Sequence, residues 1–251
     1  MGTTVAFANQ KGGVAKTTTV HSLAEALVER DHDVLMVDLD PQACLTYAAG
    51  VDPETLAASL HDVLLGRTKA ADAIVETDSA DLLPSSIDVA GAEVHLLTKT
   101  GREFVLSRAL KPLKSRYDAV LVDCGPSLGI LTINGLTAAE AVVIPFQCET
   151  LSHRGVGQLL ETVDDVRSYT NDDLVVLGGV ATMYDGRTRL AREVLESVTE
   201  IHGLDVLPPP IPKSVRVAEA PGRGRSVLRN APHSKPAVAY RELAEVFEER
   251  L

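Results

Sequence analysis

Gln10-Lys11-Gly12-Gly13-Val14-Ala15-Lys16-Thr17-Thr18 is the stretch that decides the fold. A short apolar run, Val5-Ala6-Phe7-Ala8, precedes it. After it, Val20, Leu23, Ala24, Leu27 and Val28 recur at helical spacing. The stretch therefore reads as strand, glycine-rich loop, helix. Such a loop suits a phosphate: glycines let the backbone close around the anion, and the free N–H groups of the helix start point at it. Lys16 is placed to reach β- and γ-phosphates, and the Thr17 hydroxyl to ligate Mg²⁺.

Counted back from Lys16, the two glycines of the ordinary G-x-x-x-x-G-K pattern fall on Gln10 and Ala15. The loop's own glycines are Gly12 and Gly13, and a second lysine, Lys11, stands at its start. This arrangement resembles the deviant P-loop, K-G-G-x-G-K-[T/S]-T. The resemblance implies that Lys11, Gly12, Gly13, Val14, Ala15, Lys16, Thr17 and Thr18 surround the phosphates. It also implies that Lys11 reaches across a dimer to the partner's nucleotide. Ala15 stands where that pattern has glycine; its methyl crowds the phosphates unless its φ is negative and its Cβ points away.

Two further segments end in acids. Asp33-Val34-Leu35-Met36-Val37 reads as a second strand and runs into Asp38-Leu39-Asp40-Pro41-Gln42. Tyr117-Asp118-Ala119-Val120-Leu121-Val122-Asp123 is a buried strand with the Walker B pattern, continuing as Cys124-Gly125-Pro126-Ser127-Leu128-Gly129. Acids at strand C-termini beside a P-loop lie where Mg²⁺ and an attacking water belong. An Asp-Pro turn accounts for the first segment as well when it is taken alone. Together with the loop, they resemble the second and third motifs of the same family, the latter D-x-P-P-S-L-G, with Gly125 replacing its first proline. The resemblance implies a metal set of Thr17, Asp38, Asp40 and Asp123, in which Asp40 orients the hydrolytic water, Asp38 supports the Mg²⁺ shell and Asp123 holds a Mg²⁺-bound water.

Composition narrows the class. The chain has 251 residues, enough for a full core in one domain over 1–251. Aromatic residues make up 4%, with no Trp, which argues against stacking platforms for single-stranded nucleic acid. No run is apolar for long enough to span a membrane, and the first strand leaves no room for a signal peptide. Cys44, Cys124 and Cys148 are widely spaced and read as small buried hydrophobes in a reducing cytoplasm. The net charge of −11 makes the average surface repel nucleic acid and anionic lipid.

Along the rest of the chain, residues 45–116 carry helical stripes, Leu56, Leu60, Val63 and Leu64, then Val105, Leu106, Ala109, Leu110 and Leu113. Leu82-Leu83-Pro84-Ser85-Ser86 reads as a short strand leaving the sheet, and Leu131-Thr132-Ile133-Asn134 starts a helix. Strand Ala141–Pro145, a helix over about 152–168 and strand Leu174–Ala181 follow, the last ending in Thr182-Met183-Tyr184-Asp185-Gly186-Arg187-Thr188. This alternation predicts an α/β fold: a single doubly wound domain, its twisted sheet mainly parallel, with helices on both faces. Residues 208–236 differ. After Pro208-Pro209-Pro210-Ile211-Pro212 come six basic residues, Lys213, Arg216, Arg223, Arg225, Arg229 and Lys235, and one acid, Glu219. A basic island on an acidic protein is an informative asymmetry, read either as a patch for a polyanion or as a solvated loop with chance arginines. The last helix, about 236–251, is expected to bury Val238, Leu243, Val246 and Phe247, and its acidic polar face is the wrong sign for a membrane surface.

Taken end to end, these motifs resemble the short form of the ParA/Soj-type partition ATPases, within the MinD and ParA superfamily. Ile211–Pro221 resembles that family's I-P-x-N-V-R-x-S-E-A-P, with Ser214 in place of Asn. The resemblance implies ATP, ADP and Mg²⁺ as cofactors, with Met183 and Pro212 near the adenine and Lys11, Lys16 and Asp40 as the catalytic set. It implies an ATP-sandwich homodimer that binds double-stranded DNA without sequence preference through Arg187, Arg216, Arg223 and Arg225. A ParB-type centromere-binding partner would stimulate slow hydrolysis, and the protein would be cytoplasmic and nucleoid-associated. The alternative is an orphan ParA/MinD-like ATPase that positions a protein cargo or the division machinery.

Overall fold

The computed structural model describes residues 2–149 and 152–250. The first half runs β1 (Thr3–Phe7), α1 (Lys16–Val28), β2 (Val34–Asp38), α2 (Cys44–Ala48), α3 (Leu60–Leu65), α4 (Ala70–Ala73), β3 (Asp81–Leu83), α5 (Val89–Leu96), α6 (Val105–Leu110) and β4 (Ala119–Asp123). The second half runs α7 (Ile130–Ala138), β5 (Ala141–Gln147), α8 (Ser152–Tyr169), β6 (Val175–Thr182), α9 (Arg189–His202), α10 (Val215–Glu219), α11 (Val227–Asn230) and α12 (Lys235–Glu248).

Among the described residues the strands form one sheet of order β3-β2-β4-β1-β5-β6, and every neighbouring pair is parallel. β1, β2 and β4 are near-continuous runs of Val, Leu, Ala, Met and Phe because helices cover both of their faces. One face packs Leu35, Val37, Val120, Val122 and Ile144 against α3, α5, α6, α7 and α8. The other packs Val5, Phe7, Met36, Leu121 and Val143 against α1 and α12. Parallel strands bring all their C-terminal ends to one edge, and the chemistry collects there.

Three local expectations change. Residues 81–83 do not leave the sheet. They form its edge strand, with Leu35, Met36 and Val37 opposite Asp81, Leu82 and Leu83. The stripe expected from Leu56 begins only at Leu60, because Ser59 caps α3 and exchanges hydrogen bonds with Asp62 as a capping box. In α12, Val238 is 44% exposed, and the buried stripe is Ala237, Tyr240, Leu243, Ala244 and Phe247. Ser234 and Pro236 fix the start of that helix, and Phe247 stacks on Phe7 of β1, which sets its rotation.

α2 ends at a close contact. A Cβ on Gly224 would lie 2.7 Å from the Cα of Gly50, so the two chains meet backbone to backbone. The segments after β6 and before α10 also run side by side. The Tyr184 N–H donates to the Ile211 carbonyl at 2.9 Å, and Tyr184 and Pro212 form a parallel bridge.

Candidate functional site

The loop after β1 is closed by its own side chains. The Asn9 amide donates to the Pro145 carbonyl at 2.8 Å, and its oxygen accepts the Lys11 N–H at 2.9 Å. Lys16 folds under the loop, its ammonium 3.0 Å from the Asn9 carbonyl and 3.4 Å from that of Lys11. Burial lowers the pKa of Lys16, against the pull of Asp123. The Gly13 and Val14 carbonyls are also held, by the Gln147 amide and the Thr182 hydroxyl, each at 2.9 Å.

Ala15 does not have the negative φ that would turn its methyl from the phosphates. It sits in the left-handed region at φ 62°, ψ 32°, and is the N-cap of α1. An L-residue there costs about 1–2 kcal/mol. Two bonds to its carbonyl, from the Thr19 N–H at 2.9 Å and the Thr19 hydroxyl at 2.8 Å, help hold it in place.

Asp38 and Asp123 end adjacent strands in register. Asp38 is fully buried, and its oxygens accept the Asp40 N–H at 3.2 Å and the Thr46 N–H and hydroxyl at 2.8 and 2.7 Å. It thus ties the Asp40 loop to α2. Burial pushes its pKa up to about 6, against those hydrogen bonds. Asp123 is also buried; the Thr17 hydroxyl interacts with it, but neither of its oxygens is held at hydrogen-bond geometry among the described residues. Burial first, then the charge of Asp38, pushes its carboxyl well above the usual carboxylate range. An orphaned carboxylate beside a loop lysine fits a divalent cation with its water shell. Asp40 is half-buried and accepts the Gln42 N–H at 2.9 Å. A Cβ on Gly125 would lie 3.3 Å from the Asp40 carboxyl carbon, so Asp40 leans over the residue that replaces proline.

One cleft of about 750 Å³ runs from this loop to the segment after β6. Gly12, Gly13, Ala15, Lys16, Thr17, Thr18 and Asp40 line one end, and Met183, Ile211, Pro212 and Lys213 the other. The paired segments at Tyr184 and Pro212 bring Met183 and Pro212 to the same wall. Val14 is buried below the loop. Lys11 points away from the cleft: its ammonium is 2.6 Å from Glu149 and 3.5 Å from the Gln147 oxygen. Cys44 is exposed on the cleft wall, whereas Cys124 is buried as expected.

The basic residues divide. Arg187 and Arg216 are exposed and pair locally, with Asp185 at 2.8 Å and Glu219 at 3.1 Å. Arg223 donates to Asn230 at 2.8 Å. Arg225 lines the cleft. Arg229 belongs to the fold, bonded to buried Glu25 at 2.9 Å and to Asp78 at 3.3 Å. Glu25 also accepts from the Ser79 hydroxyl at 3.1 Å and from Ser226, and Ser79 meets His21 at 2.9 Å.

Sequence reasoning missed Asn9, Thr46, Gln147 and Thr182. The last two end β5 and β6 beside the loop, and a polar residue at the C-terminal end of a parallel strand is the signal that marks them.

Residues 2–176 match a family of AAA domains. The sporulation initiation inhibitor protein Soj of Bacillus subtilis is 41% identical over 98% of both chains. The chromosome partitioning protein ParA of Caulobacter vibrioides is 39% identical over 96% of this chain and 91% of its own. A crystal structure described as cobyrinic acid a,c-diamide synthase from Mycobacterium smegmatis, with bound ADP and magnesium, is 50% identical. It covers 99% of this chain and 95% of its own with a TM-score of 0.89. With the deviant loop, the two strand-end aspartates and the parallel sheet in place, the chain belongs to the ParA/Soj-type ATPases of the MinD and ParA superfamily.

Proposed function

We propose that this protein binds Mg²⁺-ATP in the cleft and cycles between monomer and ATP-sandwich homodimer, the dimer binding double-stranded DNA non-specifically to segregate or position it with a ParB-type partner. The observation that supports the nucleotide reading is the buried Asp123 carboxylate at the end of β4, beside Lys16 and Thr17 and without a full hydrogen bond among the described residues. In this reading Lys16 and the loop N–H groups bind the phosphates. Met183 and Pro212 flank the base. Thr17 and Asp123 hold Mg²⁺, while Asp38 fixes the Asp40 loop behind the metal shell. A Mg²⁺ held by Thr17 and Asp123 would supply neutralisation of phosphate charge. Asp40 orients the attacking water. Lys11 leaves Glu149 for the partner's nucleotide.

DNA contact is assigned to Arg187, Arg216, Arg223 and Arg225. At net charge −11, one subunit's patch is opposed by the rest of its surface. Two subunits on one duplex double the contacts, the second binding at high effective concentration. The protein would then act in the cytoplasm, on the nucleoid; among the described residues no helix is long and apolar enough to cross a membrane.

The test measures ATP turnover with Mg²⁺ alone, with random-sequence duplex, and with duplex plus a ParB-type partner. Stimulation only in the third condition supports partition. Stimulation by a protein cargo without DNA supports the cargo-positioning alternative. The Mycobacterium smegmatis neighbour motivates a fourth arm, with a corrinoid acid and an ammonia source; formation of an amide there would replace the partition reading.

A further inference from the structure

We propose that Gln147 and Thr182 are positioning residues that preset the phosphate-facing side of the loop, one peptide each, and so hold Ala15 in its left-handed conformation. The inference rests on the reading of the cleft as a nucleotide site. The two residues are register partners at the C-terminal ends of β5 and β6, so they stand side by side next to the loop. The Gln147 amide donates to the Gly13 carbonyl at 2.9 Å, and the Thr182 hydroxyl donates to the Val14 carbonyl at 2.9 Å. In a planar trans peptide the C=O and the following N–H point in opposite directions. Fixing the Gly13 and Val14 carbonyls toward the strand ends therefore turns the N–H groups of Val14 and Ala15 the other way. Gln147 and Val14 lie outside the cleft lining, whereas Gly13, Ala15, Lys16 and Thr182 line it.

This arrangement accounts for a loop with alanine where the pattern it resembles, K-G-G-x-G-K-[T/S]-T, has glycine. At φ 62° Ala15 would relax if its neighbours let it. The peptide entering Ala15 is held by Thr182, and the one leaving it by Thr19. Thr182 is fully buried, and its one hydroxyl proton is shared between the Val14 carbonyl at 2.9 Å and the Phe146 carbonyl at 3.1 Å, so a single side chain bridges loop and sheet. Gln147 adds a second link. Its other amide hydrogen meets the Met183 sulfur at 2.8 Å, and its oxygen accepts from Lys11 at 3.5 Å. One side chain thus joins the base wall, the phosphate loop and the first lysine.

The experiment compares Thr182→Val, Thr182→Ser, Gln147→Ala and Ala15→Gly, with Thr182→Val also made in the Ala15→Gly background. Thr182→Val is expected to weaken ADP and ATP equally, by about tenfold, the worth of one hydrogen bond. The loss should fall on KM with kcat kept, and Thr182→Ser should restore affinity to within about twofold. Gln147→Ala should weaken both nucleotides similarly; being half-buried, it remains informative if Thr182→Val does not fold. Because glycine adopts the left-handed region unaided, the Thr182→Val penalty should shrink to about threefold or less in the Ala15→Gly background. Amide exchange over residues 12–17 of the nucleotide-free protein should be faster in Thr182→Val and Gln147→Ala. Wild-type exchange together with wild-type affinity in both variants overturns the proposal while leaving nucleotide binding intact. A full tenfold penalty retained in the Ala15→Gly background overturns the hold on Ala15. A wild-type protein that binds neither nucleotide fails the functional reading itself, and the exchange comparison still decides whether the two side chains preset the loop.

Discussion

Asp38 and Asp123 face each other in register at the ends of β2 and β4, and their carboxylates are used in opposite ways. Three hydrogen bonds converge on Asp38, while Asp123 receives none among the described residues. A buried carboxylate eased only by the Thr17 hydroxyl and the Lys16 charge, next to another carboxylate, opposes folding of the empty protein. Asp123→Asn is therefore expected to raise the stability of nucleotide-free protein by about 1 kcal/mol or more, while removing the extra stability that Mg²⁺-ADP confers. Urea unfolding with and without Mg²⁺-ADP checks this. An empty variant less stable than wild type contradicts it.

Lys16→Ala should weaken nucleotide binding at least tenfold, because a charge-assisted phosphate contact contributes about 1.5–3 kcal/mol. Calorimetric titration with ADP reads the change. Unchanged affinity would place the phosphates elsewhere.

Asp40→Ala should bind ATP, hydrolyse it poorly and accumulate as a dimer, because Asp40 acts on the water rather than on the ground-state nucleotide. Size-exclusion chromatography with ATP distinguishes the outcomes. A variant that stays monomeric where wild type dimerises, or that turns over normally, removes Asp40 from the role.

Two arginines of the basic segment should behave differently. Arg216→Glu should abolish duplex binding while sparing ATP-driven dimerisation, and wild-type binding should fall with salt by a log–log slope of about −0.9 per phosphate contacted. Arg229→Ala should instead destabilise the fold by about 1–2 kcal/mol, since it leaves buried Glu25 only the Ser79 and Ser226 hydroxyls, and its half-exposed guanidinium limits the loss. Filter binding with ATP and with ADP, beside thermal unfolding, separates the two. Equal duplex binding in both nucleotide states would sink the dimer mechanism.

His21 supplies a pH signature. Burial lowers its pKa to about 4, from an ordinary 6.5. The unfolded chain therefore binds a proton that the folded one refuses, and stability is lost as pH falls from about 6.5 through 4, by about 3 kcal/mol in all. In His21→Gln that part of the acid slope should be missing when urea midpoints are compared at pH 7 and pH 5.

How much was legible in the sequence follows from which interactions are local. The P-loop, the strand-end aspartates and the β–α alternation are set by neighbours within a few residues, and they read directly. The face of α12 did not, because Phe7, some 240 residues away, sets its rotation. Arg229 looked like surface charge until α1 brought Glu25 against it. The hold on Gly13 and Val14 comes from strands more than 130 residues downstream. The left-handed Ala15 was hidden for the same reason: alanine carries no local signal for that conformation, and distant side chains enforce it.

The contact between Gly50 and Gly224 ties the chain just beyond α2 to the basic segment. α2 is five residues long, about 7–8 Å of helix, and starts just after the Ala43 N–H bonds the Asp40 carbonyl. Its far end meets the segment that carries Arg216, Arg223 and Arg225 with no side chain between the two backbones. A side chain at Gly224 would have to part the two backbones, so the seating of the basic segment against the end of α2 depends on glycine at this joint.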